Sequence, residues 1–112
     1  MTHPFILSAH RTLDIESRAL LQLKSLIDSS FVDVVNLFCN VKGHVVVMGI
    51  GKSGHIARKI AATLSSTGTP SFFVHPAEAS HGDLGMITSQ DVVLAISNSG
   101  EVDELTTLLP HL

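Results

Sequence analysis

Two glycine-bearing segments hold the residue types best suited to chemistry in this chain. The first is Gly49-Ile50-Gly51-Lys52-Ser53-Gly54. It places an ammonium and a hydroxyl inside a tight turn that follows an apolar strand and opens a helix. The second is Ser97-Asn98-Ser99-Gly100, again between an apolar run and a helix. It offers two hydroxyls, an amide and several backbone N–H groups. A helix N-terminus with free N–H groups suits an anion, and hydroxyls beside it can hold a monophosphate without a metal. Gly51, Lys52, Ser53, Ser97, Asn98 and Ser99 are therefore the candidate phosphate or sugar-oxyanion residues. Glu101, Asp103 and Glu104 come directly after. Glu101 and Glu104 share a helix face, and a carboxylate near a bound phosphate could shuttle a proton.

Other chemistries fit these residues less well. Gly49, Gly51 and Gly54 match G-x-G-x-x-G, but the second strand ends Phe73-Val74-His75 without the acid that would hold a ribose. A Walker A loop needs a glycine where Val46 stands. His75, Glu78, His81 and Asp83 have zinc-ligand side chains but no H-x-x-x-H pair; a structural role is the plainer reading. Cys39 is read as inert, on the apolar face of the second helix or near its end.

The elements that must position these loops follow from periodicity. Ser8 and the apolar series Ala9, Leu13, Leu20, Leu23 and Ile27 predict a helix over 8–27. Asp28-Ser29-Ser30 predicts the cap of a second helix, ended by Lys42-Gly43. Three short apolar runs, 44–49, 71–74 and 91–97, predict strands buried on both faces. Ile56, Ile60, Ala61 and Leu64 give the stripe of the helix between the first two, which Gly68-Thr69-Pro70 stops. A helix is expected from about Glu101. The connection 75–86 is expected to hold at most a short helix. The class is α/β, a doubly wound parallel sheet. If its order is 2-1-3, the two loops flank the crevice between the first and third strands, where such sheets bind ligands.

Charge agrees. Residues 43–70 carry Lys52, Arg58 and Lys59 with no acid, whereas 71–112 carry six acids and no Lys or Arg. The formal net charge is -3, which argues against nucleic-acid binding through a basic face. For Arg58 and Lys59 a solvated helix face is the plainer reading. No apolar run is long enough to span a bilayer. A single cysteine and no basic, apolar leader point to a reducing, cytoplasmic compartment.

Four blocks in order, 49–55, 68–76, 80–86 and 96–101, resemble the sugar isomerase (SIS) domain, in particular bacterial D-arabinose 5-phosphate isomerases. The resemblance is strong over 44–112, with 1–42 as N-terminal helices of the same domain and 43–112 as the N-terminal part of a SIS-type, flavodoxin-like sheet. It implies interconversion of D-arabinose 5-phosphate and D-ribulose 5-phosphate through a cis-enediol, supplying 3-deoxy-octulosonate for lipopolysaccharide. By the same resemblance Lys52 and Glu104 match catalytic positions. His75, His81, Gly68 and Thr69 match substrate-contacting ones, and Ser97 and Ser99 the phosphate-loop serines. No cofactor is implied as required; His75 is a candidate ligand of an inhibitory zinc. The expected partners are a sugar phosphate and further copies of the chain, a tetramer in the full-length family, with no nucleic acid or membrane. The family sheet has about five strands. A chain stopping after the third strand and its helix is expected to be inactive alone. The alternative is a non-catalytic, sugar-phosphate-binding SIS regulator.

Overall fold

The computed structural model describes residues 1–79 and 81–100. The chain divides into two compact units, Met1–Val35 and Asn36–Leu112.

In the first unit, α1 runs Pro4–Leu23, followed by a 3-10 turn at Lys24–Leu26. The helix starts four residues before the predicted Ser8, because His3-Pro4 provides a better start. Proline occupies the first turn, and His3 Nδ1 accepts the Phe5 N–H at 3.1 Å. The second helix, α2, spans Ser29–Cys39. Its predicted cap is in place: Asp28 Oδ1 accepts the Ser30 N–H at 3.0 Å and the Ser30 hydroxyl at 2.6 Å. These bonds favour the carboxylate and lower the Asp28 pKa. Of the two places expected for Cys39, the structure has the helix end: it closes α2 as an exposed free thiol.

In the second unit, the described residues form a three-stranded parallel sheet of β1 (Val45–Gly49), β2 (Ser71–Val74) and β3 (Val92–Ile96), in the order β2-β1-β3. Every residue of β1 is buried, as a central strand covered on both faces requires. Val46 and Met48 face one cluster, with Val74, Ala79, Leu84 and Val93. Val45 and Val47 face the other, with Ala57, Ala61, Ile60, Leu64, Leu94 and Phe38. The second face is covered by α3 (Lys52–Ser66). The first is covered by the short α4 (Pro76–Ala79) and a 3-10 turn at Asp83–Met86.

The stripe on α3 is shifted from the predicted one. Gly54, Ala57 and Ala61 are buried, whereas Ile56 is exposed. A helix lying close on a sheet seats its smallest side chains at the contact, so residue size outranks hydrophobicity at this seam. The α3 end is fastened to β2 by Ser65, whose hydroxyl donates to the Ser71 carbonyl at 2.8 Å and accepts the Ser71 N–H at 3.1 Å. Asp91, expected within the third strand, precedes β3 as a clamp. Its two carboxylate oxygens accept the N–H groups of His44 at 2.7 Å and Thr88 at 2.8 Å. Its side chain is 3% exposed, and the two backbone donors hold its pKa below the usual value.

Candidate functional site

Register puts the two loops side by side. Gly49 pairs with Ile96 at the carboxyl edge of β1 and β3, so both chains leave the sheet at the same level. The turn after β1 is possible because of two glycines in close approach. A Cβ on Gly54 would lie 2.8 Å from the Gly49 carbonyl oxygen, and one on Gly49 would lie 2.7 Å from the Ser53 carbonyl oxygen. Gly51 caps α3 at φ 61°, ψ −127°, a backbone conformation that side-chain-bearing residues avoid. Lys52 is the first residue of α3, whose first turn carries no acid. The positive end of the helix dipole therefore meets no carboxylate from that turn.

Between the loops lies a cavity of about 370 Å³ lined by Ile50, Lys52, Ser53, Ile96, Ser97, Asn98 and Ser99. All five polar residues of this lining were expected from sequence. The Ser97 hydroxyl oxygen accepts the Gly100 N–H at 2.9 Å, which holds the second loop in its turn. An ammonium, hydroxyls and amides around one cavity of this size suit an anionic, hydroxylated small molecule.

The remaining candidates lie elsewhere. Gly68 and Thr69 link the C-terminal end of α3 to β2, where the Thr69 N–H donates to the Leu64 carbonyl at 2.8 Å. That is the opposite end of α3 from Lys52, roughly 20 Å away for fifteen helical residues. His81 lies in the exposed turn after α4, its N–H donating to the Glu78 carbonyl. Glu104, with Glu101 and Asp103, lies outside the described residues. Among the described residues no three His, Cys, Asp or Glu side chains gather as a metal site.

His75 borders a second, smaller recess of about 210 Å³ with Gly51, Gly54, His55, Arg58 and Phe73. The Arg58 guanidinium lies 4.1 Å from the centre of the Phe73 ring, and Phe73 meets His75 edge to face at 6.4 Å. Sequence reasoning missed this grouping. Arg58 read as a solvated helix residue and His55 carried no role. The available signal was spacing, because positions 51, 54, 55 and 58 fall on one face of a helix.

Comparison with known proteins adds identity to this geometry. The family model described as "SIS domain" matches residues 38–112. The chain is 62% identical over 106 residues to arabinose 5-phosphate isomerase KdsD of Pseudomonas aeruginosa, covering 95% of this chain and 32% of that protein. It is 57% identical over 108 residues to arabinose 5-phosphate isomerase KpsF of Escherichia coli O6:H1, covering 96% and 33%. The chain thus spans about a third of the length of the curated relatives it matches. Among solved structures, an E. coli CFT073 protein in complex with arabinose 5-phosphate is 46% identical with a TM-score of 0.80, covering 98% of this chain and 60% of that one. A Bacteroides fragilis protein, named as a phosphosugar isomerase involved in capsule formation, is 40% identical with a TM-score of 0.89, covering 96% and 57%. Glycine turn, serine loop, strand order and matched residues agree, and the chain belongs to the SIS-domain family.

Proposed function

We propose that this chain takes part in the interconversion of D-arabinose 5-phosphate and D-ribulose 5-phosphate, holding the sugar phosphate in the cavity between β1 and β3. The observation that carries the reading is that cavity, with Lys52, Ser53, Ser97, Asn98 and Ser99 around it. The names of the relatives and the sugar-phosphate complex of the E. coli neighbour support the choice of sugar. The serine loop and the α3 N-terminus receive the phosphate, in a site that needs no metal.

The reaction moves one proton between adjacent carbons. A base takes the proton from C2 of the aldose while O1 gains a proton, giving the cis-enediol. Return of a proton to C1, with loss of the O2 proton, gives the ketose. Glu104 is the proposed acid/base, and Lys52 the cation that stabilises charge developing on the oxygens. Gly68 and Thr69 join such a site only when a second copy brings them to it, which fits a homo-oligomer. The exposed apolar residues of α1 support association of that kind. The product would feed 3-deoxy-octulosonate synthesis for lipopolysaccharide in the cytoplasm.

An NMR titration of this chain with D-arabinose 5-phosphate, with NAD as control, tests the reading. Shifts confined to residues 49–55 and 97–104 with the sugar phosphate alone are expected. Shifts with NAD alone would replace the reading with dinucleotide binding.

A further inference from the structure

The cavity between β1 and β3 has two apolar lining residues, Ile50 and Ile96, beside the five polar ones. Neither was assigned a role from sequence. Both stand at the carboxyl edge of the sheet. Ile96 is the last residue of β3 and pairs with Gly49, and Ile50 follows Gly49 directly. Each therefore stands at the foot of one loop: Ile96 before Ser97-Asn98-Ser99, and Ile50 before Gly51-Lys52-Ser53. A ligand that reaches from the serines to Lys52 crosses the two isoleucines.

This wall is stiff and apolar. Ile96 packs on the cluster of Val45, Val47, Ala57 and Ala61. Ile50 is partly buried, and with a glycine on either side it is the one side chain that the turn carries between Met48 and Lys52. Branching at Cβ restricts χ1 in both residues. Isoleucine offers neither a hydrogen-bond donor nor an acceptor. A C–H group of a ligand lies against such a wall without penalty. A hydroxyl turned toward it loses water and gains no bond. Each chiral carbon of a sugar chain carries one hydrogen and one hydroxyl, and epimers exchange the two.

We propose that Ile50 and Ile96 determine specificity by meeting a C–H group of the sugar chain at C3 or C4, between the phosphate and the reacting C1–C2 end, and by rejecting the epimer that turns a hydroxyl there. That the ligand is D-arabinose 5-phosphate rests on the function proposed above. The polar lining holds oxygens within its reach, and the wall penalises an oxygen on the wrong side.

Two variants test the wall. Ile50→Val and Ile50→Thr keep the branch at Cβ and resemble each other in shape, but only the second adds a hydroxyl. Isothermal titration of the chain and both variants uses three ligands: D-arabinose 5-phosphate, its C3 epimer D-lyxose 5-phosphate and its C4 epimer L-xylose 5-phosphate. For at least one epimer, Ile50→Thr should bind about tenfold more tightly than Ile50→Val, the scale of one unpaired hydroxyl gaining a partner. Affinity for D-arabinose 5-phosphate should agree between the variants within about threefold, which reports that the cavity is intact in each. Equal affinities of the two variants for both epimers overturn the wall and leave sugar-phosphate binding standing. A threonine variant weakened alike toward all three ligands also overturns it. An unaltered chain that binds none of the three refutes the proposed function and this inference together.

Discussion

At the residue scale, Lys52 and Asp91 illustrate two uses of charge. Lys52 begins α3 in a turn without acids, so its ammonium and the helix dipole both favour an anion. Lys52→Ala should weaken D-arabinose 5-phosphate binding by about tenfold or more, the scale of one charged hydrogen bond. Isothermal titration of the chain measures this, and equal affinity would remove Lys52 from the site. Asp91 works for the fold. Its oxygens each take one backbone N–H, from His44 and from Thr88, and its pKa is lowered. A depressed carboxylate pKa contributes stability that is present above the unfolded value, ~3.9, and lost as pH falls through the folded one. Asp91→Asn should therefore be less stable at neutral pH, because its amide nitrogen cannot accept the second N–H. The gap to the unaltered chain should close below about pH 4. Urea unfolding across pH reads this, and a pH-independent gap would contradict it. Lysine and serines were legible as cavity-lining candidates because their types are costly choices inside a tight turn. Asp91 was not, since an acid before a strand looks like any solvated residue until its backbone partners are known.

At the element scale, the β1–α3 unit depends on backbone contact between Gly49 and Gly54. Gly54→Ala gains about 1 kcal/mol of helix propensity. Against that stands a Cβ 2.8 Å from a backbone oxygen that has no rotamer to change. We expect a net loss of about 1–3 kcal/mol by urea unfolding. Gly85→Ala, with open space around its Cβ, should stay within about 0.5 kcal/mol. A Gly54 variant as stable as the Gly85 one would refute the close-contact account. The strands were read to within one or two residues from their β-branched runs and flanking glycines. The α1 start was not, because an imidazole cap followed by proline takes the role usually assigned to a serine. The α3 face was misplaced at Ile56 because periodicity identifies a stripe but not how closely the helix approaches the sheet.

At the scale of the whole molecule, the unit Met1–Val35 exposes Phe5 at 81%, with Leu13, Leu20, Leu23 and Phe31 also exposed. The proposed homo-oligomer would use this apolar surface as its contact. Sedimentation velocity should show association that rises with concentration, and Leu20→Lys should weaken it at least about tenfold by losing a buried leucine. A chain monomeric at NMR concentrations would contradict this. By itself the sequence determined the parallel sheet and the polar residues around the 370 Å³ cavity, and it showed that a 2-1-3 order would bring the two loops together. Those features follow from local apolar runs, turn glycines and the rule that ligands sit where the winding reverses. Tertiary structure alone decided what depends on distance between remote segments. It clamped Asp91 to His44 and joined Arg58 to Phe73 and His75. The physical reason is that spacing encodes which face a residue occupies, whereas which faces meet is set by packing of the whole sheet and its covering helices.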